Sequence, residues 1–251
     1  MKTIVYEKSL RAQICEKILT SSPLTGRFGE LIILPIPSTR DGVHINGTEL
    51  TLSEALSGVS HDTLVVSYAL PKEYACAARD RGALVWDGAS DERFLSENAE
   101  LTAVAALGIL LGEGRRAPSD ISVGIVGYGR IGKVLLRLLL YLGARVRVYT
   151  SRSEVRMELS ALGVDTAEAR EGAELSGLDI LINTAPARIF SFEDGTPCPR
   201  IIELASGSNF PERVSVERYP SLPARAYPET AGRVFAEAVE RFLFSAKEGA
   251  E

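Results

Sequence analysis

The sequence predicts an α/β protein: a Rossmann-like doubly wound parallel sheet with a second, smaller α/β domain. Three observations carry this. Short apolar runs alternate with helix-patterned segments along the chain, the pattern of a largely parallel sheet. A second βα rhythm restarts in mid-chain at "ISVGIVGYGRIGKVLLRLLLYLGARVRVYTSRS", Ile121 to Ser153, a strand, a glycine turn, a leucine-rich helix and another strand. The 251 residues, 45% hydrophobic and 24% charged, are enough to bury a sizeable core in one large domain or two small ones.

The elements follow in order. "TIVY", "LIILPIP", "TLVVSYAL" and "ALVWDG" read as strands and "LRAQICEKIL" as a helix, with Pro35, Pro37, Gly42, Gly47, Pro71, Gly82 and Gly88 as punctuation. "SENAELTAVAALGILL", Ser96 to Leu111, has apolar residues at helical spacing after the cap candidates Ser96 and Asn98. It reads as a helix leaving the first domain, and "GEGRRAPSD" as the loop after it. Strand 121–126, helix 130–142, strand 145–149, helix 153–162 and the strands "LDILINTA" and "RIIELAS" make the Rossmann-like unit. "ETAGRVFAEAVERFLFSAK" places Val234, Phe235, Ala238, Val239, Phe242 and Leu243 on one stripe, an amphipathic helix with Thr230 as its cap candidate. The expected division is 1–100 as a substrate-side domain joined by the returning helix 229–247, and 101–228 as the dinucleotide-binding domain.

Composition excludes several function classes. Net charge is −5 and no basic block is long enough to track phosphates, so nucleic acid is not an expected partner. The apolar segments 101–112 and 134–144 fall short of the run of about 18 that spans a bilayer, so no membrane role is expected. "MKTIVYEKSLR" lacks the pattern of a signal peptide. Cys15, Cys76 and Cys198 are odd in number and far apart, which suits a reducing, cytoplasmic setting.

Gly127, Gly129 and Gly132 form GxGxxG, with Tyr128, Arg130 and Ile131 between them. The first glycine permits a tight turn, the second lets the backbone approach a pyrophosphate, and the third lets helix and strand pack closely. The helix N-terminus then offers amides to the anion. At the end of the second strand an NAD site carries Asp or Glu, whose carboxylate would repel a 2′-phosphate. Here stand Thr150, Ser151, Arg152 and Ser153, hydroxyls and a guanidinium that bind phosphate oxygens, so NADP is the expected cofactor. Asn183, Thr184, Ala185 and Pro186 after "DILI", and Ala205 and Ser206 after "IIEL", are cofactor candidates because ligands of open α/β sheets bind at strand C-termini.

The only histidines, His44 and His61, are isolated in the first domain and read as surface or structural residues; no metal site is expected. A 2-hydroxy acid dehydrogenase would place a histidine just before the last helix. That place holds "RAYPETAG", leaving Tyr227 or Glu229 to move a proton.

From about Leu31 to Val239 the chain resembles the A subunit family of dipicolinate synthase, enzymes of bacterial sporulation. "LIILPIPSTRDGV", "VGIVGYGRIGKVL", "YTSRS", "DILINTAP", "IIELAS" and "YPETAGRVFAEAV" are similar, in that order, to the family's segments. The resemblance implies an NADP-dependent oxidoreductase that oxidises a cyclic dihydrodipicolinate-type dicarboxylate to dipicolinate with a separate B subunit. Its two carboxylates would favour the loop residues Ser38, Thr39 and Arg40 as receptors; Thr102 matches the family's interdomain helix motif. A homodimer is the default assembly. Val104 and Glu229 stand where the family carries Glu and Lys. A second expectation is therefore a non-catalytic NAD(P)-binding subunit or sensor, and a third is a reductase of another small keto or imino acid.

Overall fold

Apolar runs too short for helices form the central strands of two parallel sheets. The structure is a computed structural model and describes residues 1–112, 116–186, 198–205 and 210–248. The chain divides into two units, Met1–Asn98 with Pro223–Glu251, and Ala99–Leu222.

The first unit contains β1 (Lys2–Val5), α1 (Leu10–Ser21), β2 (Glu30–Ile33), α2 (Leu52–Ala55), β3 (Thr63–Ser67), α3 (Lys72–Asp80) and β4 (Leu84–Asp87). Its sheet order is β1-β2-β3-β4, all parallel, with Ile32 opposite both Ile4 and Val65. Alternation along β2 sorts the core into two layers. Leu31 and Ile33 join Cys15 and Leu19 of α1, whereas Ile32 and Leu34 join Leu52, Ala75 and Ala78 under α2 and α3. Burial on both faces explains why this strand reads as an unbroken apolar run.

The helix α8 (Pro228–Glu248) also belongs to this unit and packs on α1. A Cβ at Gly232 would lie 2.6 Å from the Arg11 carbonyl oxygen, so only glycine allows this approach. Phe235 of α8 meets Trp86 at 5.2 Å and Phe94 at 5.5 Å between ring centroids, an edge-and-tilt cluster that fixes the helix on the sheet. The helix begins at Pro228, whose fixed φ suits a first helical position, so Thr230 lies inside the first turn and is not the cap.

The helix α4 (Glu92–Gly112) starts a turn before the expected Ser96. Asp91, not Ser96 or Asn98, is its cap: Oδ1 accepts from the Phe94 amide at 2.9 Å. At 21 residues it is longer than the apolar run read from the sequence, and by length and composition alone it could cross a bilayer. Its Phe94, Ala103, Ala106 and Leu110 are buried in protein cores.

The second unit contains β5 (Ser122–Val126), α5 (Arg130–Tyr141), β6 (Arg145–Tyr149), α6 (Ser153–Ala161), β7 (Asp165–Ala167), β8 (Ile180–Asn183), β9 (Arg200–Glu203) and β10 (Val216–Arg218). The short α7 (Leu222–Ala226) follows. The six strands are parallel in the order β10-β9-β8-β5-β6-β7. The chain thus winds outward from β5 in one direction and restarts at β8 in the other, which is the Rossmann order. Val123 and Ile125 face a core completed by Leu135, Leu139, Val148 and Val155; Val126 and Tyr149 face the opposite layer with Leu181, Ile201 and Phe210.

Candidate functional site

The strand order reverses between β5 and β8, the place where ligands of open α/β sheets bind, and the glycine turn follows β5 there. Gly127 has φ +91°, the left-handed region where L side chains are strained, and its amide donates to the Tyr149 carbonyl at 2.8 Å. A Cβ there would also lie 2.8 Å from Thr184 Oγ1. A Cβ on Gly132 would overlap the Gly127 carbonyl oxygen, so α5 can begin this close to the end of β5 only with glycine there. Gly129 differs from both. It is exposed, has ordinary φ of −88°, and a Cβ on it would meet no atom within 4 Å. Neither backbone strain nor packing requires glycine at 129, and the absent side chain leaves room for a ligand to approach the main chain.

Gly129 is the N-cap of α5, with no side-chain cap and no acidic residue in the first turn. The N-terminal amides and the positive end of the helix dipole therefore have no carboxylate of the first turn to compensate them. Lys133, one turn in, stands over the Tyr128 ring at 5.5 Å from its centroid.

At the end of β6, Thr150 is buried and its Oγ1 accepts from the Arg152 amide at 3.3 Å. Arg152, Ser151 and Ser153 are exposed. The Arg152 guanidinium donates to the Tyr128 carbonyl at 2.8 Å, tying the β6 end to the glycine turn, while Arg156 donates to the Thr150 carbonyl at 2.7 Å. Polar donors thus gather where an acidic side chain would stand in an NAD site.

Across the switch point, Thr184 Oγ1 donates to the Val126 carbonyl at 2.8 Å. Asn183 Nδ2 donates to the Ala185 carbonyl at 3.0 Å and to Glu203 Oε1 at 2.8 Å, and the Ala185 amide returns a bond to Asn183 Oδ1 at 3.2 Å. Glu203 Oε1 also accepts from the Ala205 amide at 3.1 Å. Thr184 and Ala185 lie beside the glycine turn, and Ala205 is tied to Glu203 at the end of β9; Pro186 is exposed. Ser206 lies outside the described residues.

Glu203 is not among the residues the sequence singles out, although a carboxylate inside the apolar run "RIIEL" is a readable sign, since a buried acid needs partners. It is 2% exposed and sits opposite Asn183 in the β8–β9 register.

The remaining candidates belong to other elements. Ser38 is fully buried; its Oγ accepts from the Tyr68 amide at 3.0 Å and its own amide donates to the Tyr68 carbonyl, so its hydroxyl holds the loop after β2. Thr39 Oγ1 donates to Asp41 at 3.1 Å and accepts from the Gly42 amide, and Arg40 is exposed. Thr102 is buried in α4. Tyr227 and Glu229 are exposed at the start of α8, where a carboxylate complements the helix dipole.

Sheet order, glycine turn and helix start together define a Rossmann-like α/β fold of the kind found in nicotinamide-dependent dehydrogenases. Three solved structures similar to this chain share the fold. Dipicolinate synthase from Bacillus subtilis, in its A chain, has TM-score 0.73 at 19% identity, over 99% of this chain and 97% of that one. The corresponding dipicolinate synthase protein from Bacillus halodurans has 0.68 at 20%, over 89% and 82%. Salmonella D-lactate dehydrogenase has 0.57 at 14%, over 97% and 96%. No protein-family model and no curated protein sequence matches the chain.

Proposed function

We propose that this chain is an NADP-dependent oxidoreductase of a small cyclic dicarboxylate, of the kind named in the dipicolinate synthase structures. The observation that carries the reading is the contrast among the glycines. Gly127 and Gly132 are needed by the fold, whereas Gly129 has open space and is explained by a ligand at the α5 amides. The residues fit a dinucleotide: the 127–131 turn and α5 would hold the pyrophosphate, and Thr150, Ser151, Arg152 and Ser153 the ribose with its 2′-phosphate. Thr184, Ala185, Pro186 and Ala205 would border the nicotinamide half, by topology. Bound there, NADP supplies the hydride acceptor, while this chain must orient the substrate and take up a proton.

The reading extends to a dihydrodipicolinate-type substrate, a B-subunit partner, a homodimer and a role in sporulation in the cytoplasm. The test mixes the protein, NADP and dihydrodipicolinate, with and without a B subunit, and follows nicotinamide absorbance by stopped flow. Growth of the reduced band is the expected result. A second reading, a nucleotide-binding subunit without turnover, is favoured by Val104, which is 43% exposed where the family has an acid. Tight NADPH binding with no reduction in either mixture selects it; failure to bind either nucleotide refutes both readings.

A further inference from the structure

One row of residues crosses the carboxyl edge of the six-stranded sheet. Tyr149 of β6 pairs with Val126 of β5, Val126 with Asn183 of β8, and Asn183 with Glu203 of β9. Tyr149 and Val126 pack with Leu181 and Ile201, which stand two residues before Asn183 and Glu203. Alternation along the strands therefore turns both polar side chains to that same layer, at its carboxyl end. Both are buried.

Burying a carboxylate here costs desolvation that an apolar residue would not, so the sheet by itself gives no reason for Glu203. Its Oε1 accepts from Asn183 Nδ2 at 2.8 Å and from the Ala205 amide at 3.1 Å. Asn183 in turn holds both ends of Ala185, accepting from its amide at 3.2 Å and donating to its carbonyl at 3.0 Å. Ala185 abuts the glycine turn, since a Cβ on Gly127 would lie 3.4 Å from its nitrogen. The row thus starts on β6, where Thr150 to Ser153 would take the 2′-phosphate, passes β5 and the glycine turn, and ends on a buried acid. At about 4.8 Å per strand, β9 stands roughly 10 Å from β5 and roughly 14 Å from β6. The carboxylate is kept away from the proposed phosphate positions, on the side of the row left for the nicotinamide half.

We propose that Glu203 sets which oxidation state of the cofactor this site prefers: its negative charge favours the cationic oxidised nicotinamide over the neutral reduced ring, and Asn183 carries its hold to the Ala185 backbone. The proposal rests on the dinucleotide reading given above and involves residues of the second unit alone. At an effective dielectric of about 20, two unit charges roughly 10 Å apart change an affinity by about tenfold, and only the charged ring feels this. Such a preference suits an oxidation, which consumes the oxidised cofactor, and would hinder a reductase.

Isothermal titration calorimetry of the full chain tests this with oxidised NADP, NADPH and 2′-phospho-ADP-ribose, which lacks the nicotinamide. In the wild type, oxidised NADP is expected to bind at least as tightly as NADPH. Glu203→Gln keeps an Oε1 acceptor for Asn183 and Ala205 while removing the charge. It should weaken oxidised NADP at least about fivefold and leave NADPH and 2′-phospho-ADP-ribose within about twofold. The double variant Asn183→Asp with Glu203→Gln returns a carboxylate to the row, one strand nearer the glycine turn, and should restore the preference. An unchanged ratio of the two nucleotide affinities in Glu203→Gln, or an equal loss for all three probes as from a purely structural role, overturns this proposal alone. So does a wild type that prefers NADPH by more than about tenfold, a result that needs no variant to fold. A wild-type chain that binds none of the three overturns the dinucleotide reading, and this proposal with it.

Discussion

Alanine at Gly129 and at Gly132 should separate what the fold needs from what a ligand needs. At Gly132 the new methyl would overlap the Gly127 carbonyl oxygen, a backbone atom that cannot swing aside as a side chain can. Relief requires moving α5 away from β5, an overpacking cost of about 1–3 kcal/mol. The same shift would displace the helix amides from the phosphate of a dinucleotide bound there, so affinity should fall with stability. At Gly129 the methyl meets nothing within 4 Å and φ is −88°, allowed for any residue. The stability loss there is the N-cap preference for glycine over alanine, below about 1 kcal/mol. Affinity, however, should fall at least tenfold, about 1.4 kcal/mol, because the methyl occupies the space a pyrophosphate would use. Urea denaturation reads the stabilities and NADPH fluorescence titration the affinities. A Gly129→Ala protein that binds NADPH as tightly as wild type refutes the assignment of that space to a ligand. A Gly132→Ala protein of undiminished stability refutes the packing argument.

Other consequences are equally direct. Phe235→Ala removes the ring shared by Trp86 and Phe94 and should cost about 3–5 kcal/mol by urea denaturation. Asn183→Ala takes a donor from the buried Glu203 and the acceptor of the Ala185 amide; a loss of about 1–3 kcal/mol and weaker NADPH binding are expected. An unchanged melting curve would mean that water replaces both bonds. Asp179 is held below its ordinary carboxylate pKa, chiefly by the Arg116 side chain at 2.6 Å and then by the Ser122 amide. A depressed folded-state pKa contributes stability above the unfolded value of about 3.9 and loses it as pH falls through the folded value. Asp179→Asn should therefore flatten the acid side of the stability curve and leave its slope at neutral pH unchanged, checked by thermal melts from about pH 7 to about pH 2.

The glycine turn is legible in the sequence because glycine spacing, an apolar strand and a leucine-rich helix all express one local geometry. The expected strand 145–149 and the observed β6 coincide, and α5 ends one residue before the expected 142. Elements with weak local patterns are not legible. β7 and β10, three residues each, form the two edges of the six-stranded sheet and are defined by pairing rather than by apolar content. The start of α4 escapes sequence reading because Glu92, Arg93 and Glu97 put polar residues ahead of the apolar stripe; the Arg93–Glu97 pair at 2.9 Å lies on the helix surface. At the site, the strand-end rule names Asn183 and Thr184, but only register pairs Asn183 with both Val126 and Glu203. His44, read from sequence as a surface or structural residue, has an exposed side chain and pairs with Asp41 three residues earlier in the same loop.

A parallel fluorescence titration of NADPH and NADH tests most directly the proposal that the 127–132 turn and the β6 end bind a dinucleotide through its 2′-phosphate. With Thr150, Ser151 and Arg152 at the end of β6, NADPH should bind at least tenfold more tightly, and Arg152→Ala should remove most of that preference without weakening NADH. Equal affinities, or tighter NADH, would contradict the account.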